Sequence, residues 1–293
     1  MTYRGRFAPS PTGQLHFGSL VAAVGSWLCA RHAGGQWLLR MEDIDPPREV
    51  AGTAVDIVMA LAAFGLVADA PPLFQSQRTA AYEAAFGRLR AADHVFPCRC
   101  SRSQLAAAGG IHRDGQCVTV RQAHRPGAAR APAWRLRVPD LEVSFDDALL
   151  GTQRESLRDS VGDFVIRRAD GVYSYQLACV VDDAFQEITE VVRGQDLLES
   201  TARQIWMQRC LGLPTPAYRH LPLVLDAEGN KLSKSSSAWP IYRADPAAAL
   251  RRALAFLGRP LADAPTDVAG LLAHALTGFE PGFMPHCSGN SSR

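Results

Sequence analysis

The stretch that decides the fold is Arg6-Phe7-Ala8-Pro9-Ser10-Pro11-Thr12-Gly13, with His16-Phe17-Gly18-Ser19 close behind it. Arg4 to Ala8 reads as a short strand, Pro9 to Gly18 as a Pro/Gly-rich loop, and Ser19 to His32 as a largely apolar helix begun by Ser19. A strand, a glycine-bearing loop and a helix N-terminus form a general cradle for phosphate or a nucleotide, because free backbone N–H groups and the helix dipole meet negative charge there. Taken alone, the same residues also describe a surface loop carrying a histidine.

Working outward, Gln36 to Met41 predicts a second strand that runs into Glu42, Asp43 and Asp45. Carboxylates at the C-terminal end of a strand lie where open α/β sheets bind ligands. Helical patterns at Val50 to Phe64 and Thr79 to Ala92 make this first part alternate β and α. From Val95 to about Pro132 the texture turns to cysteine, arginine, glycine and short loops, which reads as an insertion. Trp134 to Val138 and Leu141 to Phe145 resume strand patterns, and Phe164 to Arg167 with Val172 to Tyr175 predict a hairpin about Asp170-Gly171. Apolar runs at Gln176 to Asp182, Ile188 to Val192 and Leu221 to Leu225, with a helix at Asp196 to Cys210, supply a second half of the sheet. Asp245 and Pro246 open a helix that Gly258 closes; beyond Pro260 the pattern weakens, and His286 to Arg293 reads as a disordered tail. There is no internal repeat.

The 293 residues are 47% hydrophobic, enough for a sizeable core, and 31 basic against 29 acidic side chains leave a formal charge of +2. Bulk charge therefore neither demands nor excludes a nucleic-acid partner. No apolar run reaches the roughly 18 residues of a membrane span. Ser19 to Ala30 is separated from Arg4 and Arg6 by Pro9, Pro11, Gly13 and Gly18, a layout unlike a signal peptide, so a cytoplasmic protein with no membrane partner is expected.

Seven cysteines, an odd number, fit a reducing compartment better than a disulfide framework. Cys29, Cys179, Cys210 and Cys287 are scattered and read as small hydrophobes. Cys98, Cys100 and Cys117 cluster, and with His112 they offer three thiols and an imidazole, the ligand set of a closed tetrahedral zinc site. Free thiols with an exposed histidine are the alternative, and His94 or His124 could stand in for His112. Arg99, Arg102, Arg113, Arg121, Arg125 and Arg130 give the insertion a positive field suited to RNA phosphates, or simply a solvated surface; no aromatic stacking platform accompanies them. Of the 31 basic residues 29 are arginine, and the two lysines both fall in Lys231-Leu232-Ser233-Lys234-Ser235. An ammonium is a compact point charge rather than a flat fork, so this loop reads either as a polyphosphate contact or as a solvated loop.

Together, the His-x-Gly opening and the later Lys-Leu-Ser-Lys-Ser resemble the paired signatures of class I aminoacyl-tRNA synthetases. Arg6-Phe7-Ala8-Pro9-Ser10-Pro11-Thr12-Gly13 with Leu15-His16 narrows the resemblance to the glutamyl branch, over about Arg4 to Leu257. The full-length glutamyl branch continues after the lysine loop into a long helical anticodon-binding region, and a protein without that region is expected here. Met41-Glu42-Asp43-Ile44-Asp45-Pro46-Pro47-Arg48-Glu49 is similar to the shortened members that modify a tRNA base instead of charging a tRNA end. The resemblance implies an α/β fold: a class I synthetase Rossmann-like parallel sheet, an inserted zinc-containing subdomain and a short C-terminal helical segment. The expected division is 1–92 and 176–240 for the halves of the nucleotide-binding domain, 93–175 for the zinc/RNA-facing insert, and 241–293 for the helical segment and tail.

By the same resemblance, His16, Lys231 and Lys234 are catalytic, and His16, Gly18, Ser19, Lys231, Ser233 and Lys234 hold ATP, accompanied by Mg²⁺. Arg6, Phe7, Ala8, Pro9, Ser10, Glu42, Tyr175 and Arg193 form the glutamate pocket, with an anion for the ammonium and arginines for the side-chain carboxylate. Without the resemblance, Glu42 and Arg193 are as well explained by an internal salt bridge. The family usually has tyrosine where His112 stands, with Arg113 an extra residue before Asp114-Gly115-Gln116-Cys117; Cys98, Cys100, His112 and Cys117 remain the expected zinc ligands. L-glutamate, ATP and tRNA(Asp) carrying queuosine are the implied partners of a monomeric enzyme.

Overall fold

The structure, a computed structural model, describes residues 2–113, 131–224, 245–259 and 261–284. β1 (Arg4–Phe7) and β2 (Gln36–Met41) are parallel, in register from Arg4 opposite Gln36 to Phe7 opposite Leu39, and α1 (Phe17–His32) crosses between them. α1 begins before the expected Ser19 because His16 is its N-cap: the ring Nδ1 accepts the Ser19 amide at 3.2 Å, the task a short polar side chain usually performs. α2 (Thr53–Ala63), β3 (Leu73–Phe74) and α3 (Thr79–Ala91) follow, with β3 parallel to β2.

Next come β4 (Val95–Cys98), α4 (Arg102–Ala107), β5 (Ala133–Leu136), β6 (Glu142–Asp147), β7 (Gly151–Ser156) and β8 (Phe164–Arg167). β4, β5 and β8 make a separate antiparallel sheet. β6 instead joins the parallel system, pairing β10 (Ala217–Leu221) at Tyr218 opposite Asp147 and carrying β7 as an antiparallel edge. α5 (Tyr175–Phe185), β9 (Glu190–Gly194) and α6 (Glu199–Leu211) precede β10, which is parallel to β9; α7 (Pro246–Phe256) and α8 (Val268–Leu276) complete the described chain. β1 lies beside β9, held where the Thr189 amide donates to the Arg4 carbonyl and the Arg4 amide to Thr189 Oγ1, both at 2.9 Å.

Adjacent strand residues feed opposite cores, as a period of two requires. Leu39 and Val192 pack on α1, α7 and α8, whereas Leu38 and Val191 face the core of α3, α5 and α6. α1 is therefore apolar nearly all round, since sheet and C-terminal helices cover it from both sides.

Several expectations are corrected. Gln176 to Asp182 is part of α5, capped by Ser174 on the Leu177 amide; a short apolar run does not by itself separate buried strand from buried helix. The last parallel strand is Ala217–Leu221 and not Leu221 to Leu225, its signal hidden because Arg219 and His220 are buried by polar partners. Val172 to Tyr175 makes only a single bridge, Arg167 to Tyr173, before α5 starts at Tyr175. α4, β7 and α8 were not anticipated. The helix capped by Asp245 forms as expected, with Asp245 accepting the Ala248 amide at 2.9 Å. Residues 286–293 lie outside the described residues.

Candidate active site

β1, β2, β9 and β10 all finish at one edge of the sheet, and β1 and β9 run outward from the centre in opposite halves of the strand order. Such a switch point leaves a crevice at the strand C-termini. Arg6, Arg40, Arg193 and His220 lie near the ends of β1, β2, β9 and β10, Glu42 follows β2 directly, and α5 brings Tyr175, Cys179 and Asp183 alongside. The loops after β1 and β2 are stitched together: the Glu42 amide donates to the Pro9 carbonyl and the Val50 amide to the Pro11 carbonyl, each at 3.0 Å.

Three guanidinium groups are buried here. Arg40 Nη1 donates to Asp183 Oδ1 at 2.7 Å and to Gln186 Oε1 at 3.0 Å, and Arg6 Nε donates to the same Asp183 oxygen at 3.1 Å. Burial would raise the Asp183 carboxyl, but the charges and hydrogen bonds of Arg40 and Arg6 outweigh it and hold the group well below the usual carboxylate range. Arg193 is different. Its Nε donates to His220 Nε2 at 3.0 Å, Nη1 to Gln204 Oε1 at 2.8 Å and Nη2 to Thr201 Oγ1 at 2.9 Å, all neutral acceptors. Among the described residues no carboxylate makes a salt bridge with it. The internal Arg193–Glu42 pair is thus absent; Glu42 instead approaches Arg40 Nη2 at 3.7 Å.

Glu42 is nearly buried, and burial pushes its carboxyl up to about 7, against the pull of Arg40 and Arg6. Burial also raises the Tyr175 hydroxyl well above its usual value, with Cys179 and Glu42 adding to the effect, so Tyr175 is a neutral hydrogen-bond donor. Phe7 lies in the core, stacked on Trp37 with ring centroids 6.4 Å apart, leaving only its backbone for the crevice; Pro9 is buried, Ala8 half-buried and Ser10 exposed. His16, Gly18 and Ser19 stand at the N-terminus of α1. A Cβ on Gly18 would meet the His16 ring at 3.2 Å, so the glycine lets the imidazole fold over the first turn. Lys231, Ser233 and Lys234 lie outside the described residues.

Sequence reasoning missed Arg40, Asp183, Thr201, Gln204, His220 and Asp147. For Arg40 and Asp183 the signal was a charge inside an apolar run, as in Trp37-Leu38-Leu39-Arg40-Met41 and Val180-Val181-Asp182-Asp183, since a buried charge requires a partner; Thr201, Gln204, His220 and Asp147 carried no such signal.

On the antiparallel sheet, the ligand atoms of Cys98, Cys100 and His112 lie within 4.8 Å of one another. His112 Nδ1 meets Asp163 Oδ2 at 2.9 Å, and Asp163 Oδ1 accepts the Val138 amide at 2.9 Å. An ionised carboxylate can only accept, so the ring proton sits on Nδ1 and Nε2 carries a bare lone pair. That buried Nε2 makes no hydrogen bond of good geometry and faces the Cys98 thiol, so the imidazole and the two thiols converge as a metal ion would require. His94 is elsewhere, edge-on to Trp206, and Cys117 and His124 lie outside the described residues. Arg113 is tied down by the Arg158 and Asp159 carbonyls, both at 3.2 Å, while Arg99 and Arg102 are exposed.

A profile of the catalytic domain of class I tRNA synthetases for Glu and Gln matches residues 2–264. The chain belongs to that family. Within it, the chain is 54% identical over 288 residues to the glutamyl-Q tRNA(Asp) synthetase of Xanthomonas campestris pv. campestris, covering 97% of this chain and 94% of that protein. It is 56% identical over 262 residues to the protein of the same name from Burkholderia cenocepacia, covering 87% and 88%. Among solved structures, a glutamate tRNA ligase from Elizabethkingia meningosepticum in complex with its amino acid superposes with a TM-score of 0.80 at 26% identity; the match takes in 97% of this chain and 66% of that one. The class I synthetase fold, with its parallel sheet, and a ligase of the tRNA-synthetase type are thereby established for this chain. Among the described residues, no helix is long and apolar enough to cross a membrane.

Proposed function

We propose that the enzyme activates L-glutamate with ATP and transfers the glutamyl group to the queuosine base in the anticodon of tRNA(Asp). The observation that carries the amino-acid assignment is the charge of the crevice. Two of the three buried arginines, Arg6 and Arg40, share one firmly ionised aspartate, and the third, Arg193, has only neutral acceptors, so the site needs a further anion. Glutamate brings two carboxylates and one ammonium. Glu42 receives the ammonium, and Arg193, Arg6 and the Tyr175 hydroxyl face the side-chain carboxylate.

The glutamate α-carboxylate oxygen attacks the α-phosphorus of ATP, the bond to the bridging oxygen breaks, and pyrophosphate leaves with that electron pair. A hydroxyl on the cyclopentene ring of queuosine then attacks the acyl carbon and AMP departs. Neither step needs a protein nucleophile; alignment and charge compensation do the work. His16, Gly18 and Ser19 at the α1 N-terminus receive the phosphates, with Lys231, Ser233, Lys234 and Mg²⁺ meeting the charge that develops on the leaving group. The relatives' name supports the acceptor. A structural zinc ion would be held by Cys98, Cys100 and His112, with Cys117 as fourth ligand, stapling the insert on which tRNA contacts are expected; the converging His112 Nε2 and two thiols suit it.

The test is ATP-dependent transfer of labelled glutamate to bulk tRNA from cells that make queuosine, beside tRNA from cells that cannot. Label on the first alone is expected. Equal label on both would identify acylation of a tRNA 3′ end, and binding without label a non-catalytic RNA-binding protein.

A further inference from the structure

The mechanism leaves one buried titratable pair unused. His220 and Asp147 are both buried, at the ends of the neighbouring strands β10 and β6, and His220 Nδ1 lies 2.6 Å from Asp147 Oδ2. Asp147 collects further donors: its Oδ1 accepts the Leu149 and Leu150 amides at 3.0 Å, and Oδ2 the His220 amide at 3.1 Å. This carboxylate is fixed in place and acceptor-only.

The far side of the ring is as tightly specified. Arg193 Nε can only donate, so His220 Nε2 must be a lone pair; Thr201 Oγ1 accepts from Arg193 Nη2 and lies 3.3 Å from the same Nε2, to which its hydroxyl is free to donate. Both neighbours therefore demand one tautomer, neutral imidazole with its proton on Nδ1. Burial lowers the tendency of His220 to protonate, against the pull of Asp147. The Tyr218 ring stacks parallel to the imidazole, 9° between planes, and the Arg193 guanidinium carbon sits 5.7 Å from that tyrosine's centroid.

We propose that Asp147 and His220 are positioning residues that act through Arg193, holding its guanidinium fork so that its two uncommitted Nη hydrogens point at a carboxylate of the bound amino acid. A guanidinium left to rotate would still be a cation, but not a bidentate partner. Asp147 sets the tautomer, the tautomer makes Nε2 an acceptor, and that acceptor together with Thr201 and Gln204 fixes the plane. The neutrality of His220 matters as much as its place. A carboxylate there would pair with Arg193 and satisfy the charge the substrate is needed to satisfy. The inference rests on the glutamate reading of the pocket.

The test uses His220→Asn, His220→Gln and Asp147→Asn in glutamate-dependent ATP–pyrophosphate exchange, with KM for glutamate and for ATP measured separately. Asparagine places a polar group only at the Nδ1 position, keeping the Asp147 bond and losing the acceptor for Arg193; glutamine places its carbonyl near Nε2. His220→Asn and Asp147→Asn should raise KM for glutamate at least about tenfold while KM for ATP stays within about twofold, and His220→Gln should recover most of the loss. Equal losses in the asparagine and glutamine variants, or a matching rise in KM for ATP, would make the ring a space-filler and overturn the proposal. Absence of glutamate-dependent exchange in the unaltered enzyme would overturn the glutamate reading itself, and this inference with it.

Discussion

The molecule contains the same device twice, with opposite outcomes. At the crevice His220 gives Nδ1–H to Asp147, and at the antiparallel sheet His112 gives Nδ1–H to Asp163; both rings are buried and oriented by a carboxylate. The difference is what faces Nε2. His220 Nε2 receives Arg193 and orients it, whereas His112 Nε2 makes no hydrogen bond of good geometry and converges with two thiols. A carboxylate–histidine pair therefore does not announce a metal; the lone pair and the softness of the neighbours it converges with do.

The largest effects should come from breaking the charge balance of the crevice. Arg193→Ala leaves a carboxylate of the substrate without its buried partner and should cost roughly a hundredfold or more in kcat/KM for glutamate. Glu42→Ala and Lys234→Ala should each abolish adenylate formation with the fold intact, which far-UV dichroism and pyrophosphate exchange measured on one preparation will check. Wild-type turnover in any of the three would remove that residue from the site.

Next in size is the other half of the comparison. Asp163→Asn keeps the shape of the side chain but weakens the orientation of His112, and should lower zinc affinity about tenfold to a hundredfold, read by competition with a chromophoric chelator. The same substitution at Asp147 should leave metal content untouched. If both substitutions shed metal alike, the distinction drawn between the two histidines fails.

Glu42→Gln separates stability from function. The folded-state carboxyl at about 7 lies above its ordinary unfolded value, so the folded state favours the proton. That preference is fully present at pH values below the unfolded pKa and is lost as pH rises through about 7, where the ionised side chain becomes a burden. The variant should gain on the order of 2 kcal/mol near pH 8 and nothing near pH 4. In the wild type, kcat/KM for glutamate should fall as pH drops below about 7, because a protonated Glu42 cannot pair with an ammonium. A melting temperature for the variant at pH 8 that is no higher than wild type would show that Glu42 is not held in a disfavoured charge state.

The two regions also differ in how far they could be read from sequence. β1, β2, α2, α3 and the capped α7 carry local signals, periodicity and cap residues, and these were legible. Gln176 to Asp182 was not, because an apolar run that short does not by itself separate a buried strand from a buried helix, and β10 was masked by Arg219 and His220, whose burial depends on Glu190, Arg193 and Asp147 far away in the chain. The cysteine cluster was visible from spacing alone. His112 was named there with His94 and His124 as stand-ins, and the fold carries the His112 ring to Cys98 and Asp163.

The smallest expected effect tests the loop with which the sequence reading began. Gly18 occupies the first turn of α1, where alanine would favour the helix by about 0.5–1 kcal/mol through reduced unfolded-state freedom. Its Cβ, however, would press on the His16 ring at 3.2 Å, a contact the imidazole must relieve by tilting. Since Nδ1 of that ring caps the Ser19 amide, a tilt moves the cap and the rest of the imidazole together. Gly18→Ala should therefore leave thermal stability equal or slightly higher while raising KM for ATP about threefold, with KM for glutamate unchanged. A rise in KM for glutamate instead would place this helix end against the amino acid, and the division between a phosphate side and a carboxylate side of the crevice would have to be redrawn.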